Sequence, residues 1–509
     1  MRLTPRCVPG WPKLAWVAVC RDGSEDVVVR HGPLVEVREE WIAEAVWAGA
    51  FAEGDFDRTD LVVGTGIRNR GDHVVFVSSG TAVDRLWHGE HGDCRYVANT
   101  LPGLLAVAGW SLDEDYLDYR GDLETIDDPG GLRKYVRQIP GCETVLHLVY
   151  FDNLRYDGRR LEQIEKPDSA PSFHRYEQYF SYLADAARQL GVNGRAPERR
   201  APVACAATIS SGYDSTAAAV LARYAGCELA VTIRNPTSLW RGSDSGQAVA
   251  ERLGMPCRAY RHRPRCYQFE EAVWAAVGRP RGLNLTIFEL PEPLCLLFTG
   301  NFGDKIWDRH YIYGLDTGDL EGVALSEFRL FRGIFDGVPA WWGFRHAEEI
   351  KRINLSAEMA PWTLNTNYDR PIARRIIEEA GVSRGSFAVR KKNTSSEAEF
   401  RWPYGREARR RFAEYLRRRG VYAPPTCLIS PLRKLVHVDR FLHVNLLRRL
   451  GVQARLKDWL MLKGSALVFH WANLELKRMY EAGLRGAQSD GRQSAARSAD
   501  QPVNRGMEP

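Results

Sequence analysis

Apolar residues in the first 150 positions fall in short runs that alternate with polar ones or are rich in β-branched side chains. LAWVAVC, DVVVRHG, DLVVGTG, HVVFVSS, CRYVANT and VLHLVYF are separated by Gly/Asp turns and predict a β-rich region. Between them, Arg38–Ala52 reads as a helix. The spacing then changes. In PSFHRYEQYFSYLADAARQL, Tyr176, Tyr179, Phe180 and Leu183 recur at i, i+3, i+4 and i+7, which is the apolar face of a helix. NGRAPERRAP follows as a polar, proline-containing linker.

Beyond residue 200, strand and helix patterns alternate. CAATI is a short apolar strand, and the alanine-rich Thr216–Arg223 is helical. Glu228–Ile233 is a strand, Ser243–Leu253 a helix with Ser/Asp at its start, and CRAYRH a strand after Gly254. This alternation predicts a parallel sheet covered by helices. In YDRPIARRIIEEAGV, Pro371 suits the first helical position and Gly381 the stop. From Pro403 to Arg485 the chain reads as basic helices, with Arg and Lys interleaved among Leu and Val. Gln488–Pro509 has no apolar period and is expected to be disordered.

The chemistry concentrates between CAATI and its helix. Ser210, Ser211, Gly212, Tyr213, Asp214 and Ser215 form a small-residue turn feeding a helix N-terminus, where backbone N–H groups and the helix dipole favour an anion. Asp214 would repel a bare phosphate and makes sense with a divalent cation such as Mg²⁺ between them. The same residues also suit an ordinary strand–turn–helix with a Ser/Asp N-cap. No Gly-Lys-Ser/Thr follows, so this is not a Walker A loop.

Composition narrows the class. A chain of 509 residues, 44% hydrophobic with 15 Trp, has material for two or three domains. The net charge of +6 points only weakly to anionic partners. The ten cysteines are scattered with no C-x-x-C pair, which argues against a zinc ribbon or a thioredoxin-type site. Trp11–Cys20 is too short, and is broken by Lys13, for a signal peptide, and no run approaches the ~18 apolar residues of a membrane span. A cytoplasmic protein with reduced thiols and no membrane contact is expected.

Ser210, Gly212, Asp214 and Ser215 resemble the S-G-G-x-D-S pyrophosphate loop of the ATP-pyrophosphatase (PP-loop) superfamily, which includes asparagine synthetases, β-lactam synthetases and lasso-peptide cyclases; Ser211 replaces the first glycine. LLFTGNFGDKIW resembles the family's second phosphate-side turn through Thr299, Gly300, Gly303 and Asp304. There Asn301 replaces an acidic residue and Lys305 another; Lys305 would either neutralise phosphate charge or point to solvent, and the second is the favoured expectation. Arg390 and Lys392 match an R-x-K element, with Lys391 as a competitor and the family glycine absent.

The resemblance implies an α/β chain. Residues 1–165 would be a degenerate glutaminase-like (Ntn-type) β domain, 166–200 a junction helix and linker, and 201–400 a PP-loop ATP-pyrophosphatase domain. Residues 401–485 would be a basic helical region and 486–509 a tail. The chain opens Met1-Arg2-Leu3 without a cysteine nucleophile, so no glutamine hydrolysis is expected. An unrelated β domain fits residues 1–165 equally well.

The resemblance further implies ATP bound over Ser210–Ser215, Thr299 and Gly300, with adenine near Thr232, Ile233 and Arg234. Mg²⁺ would sit on Asp214 and Asp304, and Lys392, Lys391 and Arg390 would act as catalytic cations. It implies an ATP-dependent carbon–nitrogen ligase. The enzyme would adenylate a small-molecule or peptide carboxylate and pass it to an amine, as in macrocycle or lactam formation. The basic C-terminal helices leave a tRNA-directed PP-loop enzyme as a rival, with nucleic acid the less favoured partner. The departures at Ser211, Asn301 and Lys305 leave a non-catalytic scaffold as another.

Overall fold

The computed structural model describes residues 1–234, 244–261, 267–311, 316–388, 401–425, part of 427–439, and 463–499. Arg390, Lys391 and Lys392 lie outside the described residues. Among the described residues the architecture is mixed α/β, with three sheets and C-terminal helices.

Alternating burial builds the N-terminal half. Along Asp26–His31, Val27, Val29 and His31 are buried while their neighbours are partly exposed, as a strand with one face on a core requires. That strand belongs to a seven-stranded sheet with central strands Trp16–Arg21, Cys94–Ala98 and Arg85–His91. A six-stranded sheet runs from Leu161–Ile164 to Glu36–Val37. Trp16, Val27 and Val29 of the first sheet share one cluster with Ile42, Ile67 and Phe76 of the second, so the two sheets pack face to face. Cys7 is exposed and ends the first strand, paired with His31.

The expected helix over Arg38–Ala52 is not there. Trp41–Trp47 is a strand, buried along its whole length and paired with Val62–Asn69; Phe51–Glu53 is only a 3₁₀ turn. Ala43, Glu44 and Ala45 carry helix propensity, but both faces of this strand are covered. Trp41, Ala43, Ala45 and Trp47 fill one cluster and Ile42 another, and this burial outweighs the local preference.

The third sheet is parallel throughout. Its strands are β1 (Val203–Thr208), β2 (Leu229–Arg234), β3 (Cys257–Arg261), β4 (Leu294–Phe298) and β5 (Ile334–Gly337), in the order β3-β2-β1-β4-β5. Strand order reverses between β1 and β4. In sheets of this kind the loops leaving such strands part there and open a crevice at their C-terminal ends.

Helices fix the sheet in place. The junction helix α1 (Tyr176–Gly194) buries Tyr176, Tyr179 and Leu183, and Tyr179 Oη accepts a 3.1 Å bond from Trp307 Nε1. Helix α2 (Tyr213–Ala222) follows β1, α3 (Glu270–Val277) lies between β3 and β4, and α4 (Ser326–Arg332) precedes β5. Arg329 of α4 reaches into the N-terminal sandwich, where it pairs with Glu44 and Asp84. Helix α5 (Pro371–Glu379) begins at Pro371 as the sequence predicts, and Gly381 adopts φ +92° just beyond it.

At the C-terminal end are α6 (Arg406–Arg418) and α7 (Val468–Ala499). Phe469, Trp471 and Tyr480 are buried, and α7 packs on α3 and on the helix Leu101–Ala108. Helix α7 runs through Ala499, into the segment expected to be disordered. Its Ala, Arg and Gln are good helix formers, and propagation from a docked nucleus adds one bond for each residue fixed. On the basic α6, Arg410 pairs with Glu407 and Glu414, and Arg411 with Glu271 and Glu475. The described cysteines are free thiols. No helix among the described residues is long and apolar enough to cross a membrane.

Candidate functional site

The loop after β1 turns sharply. Ile209 N still bonds Val231 O at 2.9 Å, Ser210 bridges to Ser245, and Gly212 caps α2 in extended conformation. Ser210 organises the turn. Its Oγ lies 2.7 Å from Ser215 Oγ and accepts from Gly212 N at 3.0 Å, while its carbonyl accepts from Thr216 Oγ1 at 2.9 Å. The first N–H groups of α2 have no intrahelical acceptor, as at any helix start.

The second loop, after β4, lies directly against the first. A Cβ on Gly300 would sit 2.7 Å from Asp214 C and closer still to Ser215 N, and one on Gly303 would sit 2.5 Å from Asp214 Cγ. Glycine is required at both positions because the two loops touch. Phe302 holds φ +64° between them, a strained conformation for a bulky residue, with its ring 4.3 Å from that of Trp341. Thr299 Oγ1 donates to Asp336 Oδ1 at 2.8 Å.

Together the loops bound a cleft of about 320 Å³ at the C-terminal ends of β1, β2 and β4. One wall is apolar, made by Val231, Ile233, Leu285 and Phe288. The lining also carries the carboxylates of Asp127, Asp304, Asp319 and Glu321.

Of the residues singled out from sequence, Ser210, Gly212, Asp214, Ser215, Thr232, Ile233, Thr299, Gly300, Asn301 and Asp304 line this cleft. Ser211, Tyr213 and Arg234 do not. Ser211 Oγ donates to Asp244 Oδ1 at 2.6 Å. Tyr213 is buried, its ring tilted at 56° to that of Tyr368 with centroids 4.9 Å apart, and its hydroxyl accepts from Arg374. Lys305 departs from expectation in the opposite sense. It is buried, with Nζ 2.6 Å from Asp127 Oδ1 and bonded to Gly318 O. Burial works to lower its pKa, but Asp319 and Asp127 more than offset this, so an internal ion pair keeps the ammonium charged.

Sequence reading missed Arg370, Tyr368, Asp127 and Asp319, all of which line the cleft. Arg370 stands in YDRP, where only Pro371 drew notice. Asp319 caps a short helix by accepting from Glu321 N at 2.9 Å, a role that an Asp before LEGV signals. Asp127 comes from the N-terminal half and carries no local signal.

Burial raises the Asp336 pKa to about 7 despite the Thr299 bond. An unfolded aspartate ionises near pH ~3.9. Between the two values the unfolded chain has lost a proton that the fold retains, so this group lowers stability as pH rises from ~4 to ~7 and adds nothing further above. In Asp336→Asn, the fall in urea midpoint between pH 4.5 and 7.5 should shrink relative to the wild type. An unchanged fall would contradict the assignment.

No family model matches the chain, and no curated protein matches it. Among solved structures it is similar to one described as the allosteric regulatory enzyme of purine biosynthesis. Identity is 11%, over 68% of this chain and 88% of that one, with a TM-score of 0.18. A likeness at that level carries no argument about fold or activity.

Proposed function

We propose that the chain is an asparagine-synthetase-like, ATP-dependent carbon–nitrogen ligase that forms AMP and pyrophosphate and does not hydrolyse glutamine. One observation carries this reading. The Ser210–Ser215 and Thr299–Asp304 loops, 84 residues apart at the nearest, meet across one cleft at the switch point of a parallel sheet. On this reading residues 201–400 form a PP-loop domain and the N-terminal sandwich a glutaminase-like domain.

The substrate is the magnesium complex of ATP. Its adenine lies against Ile233 and Phe288, and its phosphates extend over the amide end of α2. A substrate carboxylate oxygen attacks the α-phosphorus, and the bond to the β,γ-pyrophosphate breaks. Ser210 and Ser215 hydroxyls and the loop amides hold the departing anion. An amine then attacks the acyl carbon and loses a proton, and AMP leaves as the amide forms. The amine comes from ammonia, a second substrate or the same molecule. Arg390, Lys391 and Lys392 are the cations that the sequence supplies for the charge on the α-phosphate.

Among the described residues, no group of three or more His, Cys, Asp or Glu side chains converges as a metal cage. Mg²⁺ often binds through one or two carboxylates plus substrate phosphates. Asp304, exposed on the cleft, fits that habit. Asp214 does not, because its carboxylate is already paired with Arg370.

The test is ATP–Mg²⁺ binding followed by pyrophosphate release with candidate carboxylates and a metabolite extract. The wild type should bind ATP and release pyrophosphate, and Asp304→Ala should lower kcat/KM on the order of a hundredfold. A wild type that binds no ATP would favour a scaffold.

A further inference from the structure

In the resembled family's loop, the aspartate that falls at Asp214 is expected to hold a metal ion. Its surroundings here fit another role. Asp214 Oδ2 pairs with Arg370 Nη1. Asp214 Oδ1 is buried beside Gly303, whose missing side chain would lie 2.5 Å away. One oxygen is buried and the other is already engaged by a guanidinium, a poor pair for a hydrated Mg²⁺.

Arg370 is fixed as firmly. It immediately precedes Pro371, so the rigid first turn of α5 sets its position. Its Nε lies 3.4 Å from Asp308 Oδ2, and its guanidinium carbon lies 5.1 Å from the centre of the Tyr368 ring. The residue is 1% exposed, yet it lines the cleft. A guanidinium has five N–H donors. Asp214 and Asp308 engage Nη1 and Nε, and Nη2 bonds no described residue. Burial works to lower the Arg370 pKa, but Asp214, Tyr368 and Asp304 more than offset it and keep the group charged.

We infer that Asp214 positions Arg370, and that Arg370 takes a phosphate oxygen of the bound nucleotide through Nη2, so that the cation Asp214 holds is a guanidinium and not a metal ion. This rests on the proposed ATP site and assigns the metal contact to Asp304 alone. It also accounts for an acidic residue in a loop that receives an anion. Asp214 would repel phosphate by itself, but it holds a bidentate-capable cation at the correct angle.

The experiment measures inorganic pyrophosphate binding by calorimetry over a Mg²⁺ titration. It compares wild type with Arg370→Gln, Arg370→Lys, Asp214→Asn, Asp304→Asn and the Asp214/Arg370 double variant, with circular dichroism confirming folding. Arg370→Gln and Asp214→Asn should each weaken pyrophosphate binding about tenfold, without changing the Mg²⁺ concentration for half-maximal binding. The double variant should be no weaker than the worse single one, and Arg370→Lys should keep part of the affinity. Asp304→Asn should raise the Mg²⁺ requirement.

An Asp214→Asn protein whose Mg²⁺ requirement rises as in Asp304→Asn would overturn the inference. So would additive losses in the double variant. Wild-type affinity in Arg370→Gln and Arg370→Lys would overturn it while leaving the ATP site standing. A wild type that binds no pyrophosphate at any Mg²⁺ concentration would overturn the proposed function itself and this inference with it.

Discussion

Gly300→Ala is expected to lower ATP-dependent turnover on the order of a hundredfold while leaving most of the fold intact. The added methyl would fall 2.7 Å from Asp214 C and nearer still to Ser215 N. Both are backbone atoms, at the start of a helix seated on the central sheet, and neither can swing away as a side chain would. The loops must part, and the cleft is the space between them. Overpacking of this kind costs about 1–3 kcal/mol in stability. A displacement of ~1 Å in a positioned site costs on the order of a hundredfold in rate. Gly121→Ala is the control, because a Cβ there meets nothing within 4 Å. Turnover and urea midpoints of the two variants, measured side by side, check the claim. Wild-type turnover in Gly300→Ala would show that the contact between the loops does not set the site.

The second large effect lies between the N-terminal sandwich and the central sheet. Arg329 donates from Nη1 to Glu44 Oε2 at 2.7 Å and from Nη2 to Glu44 Oε1 at 3.0 Å, and its Nε bonds Asp84. All three are buried. Glu44 also accepts from Thr65 N at 3.0 Å and from Asn99 Nδ2 at 3.1 Å. Burial raises the pKa of both carboxylates even with Arg329 present. Arg329→Met removes their counter-charge and should cost about 3–5 kcal/mol, because it strands two carboxylates out of water. Its stability should recover as pH falls and those groups take up protons. Adding Glu44→Gln and Asp84→Asn should restore much of the loss. Denaturant unfolding at two pH values measures both effects. A loss under ~1 kcal/mol would mean that the network does not join the two halves.

The central sheet could be read from the sequence because its signals are local. CAATI is apolar and bounded by small residues, and the alanines after Ser215 are helix formers, so strand β1 and helix α2 fall close to where the pattern puts them. The cleft was legible for a related reason. Each loop carries its glycines and polar residues within about six positions, and parallel strands bring such loops together at one edge.

What failed was non-local. The strand Trp41–Trp47 carries helix-forming residues that only burial on both faces overrides. Lys305 looked solvent-directed because lysine usually is, and its partner Asp127 lies 178 residues away. Arg370 lies 156 residues from Asp214, in a segment where proline and helix periodicity dominate the pattern. An ion pair across that distance leaves no spacing to find.

The central claim concerns what happens to ATP, and nucleotide products test it most directly. The wild type would be incubated with ATP–Mg²⁺ and a metabolite extract, and the nucleotides and phosphates resolved by ion-exchange chromatography. The account predicts AMP and pyrophosphate in equal amounts, dependent on the extract and strongly reduced in Gly300→Ala. ADP with inorganic phosphate would mean cleavage at the γ-phosphate, and would contradict the proposed pyrophosphate-releasing reaction.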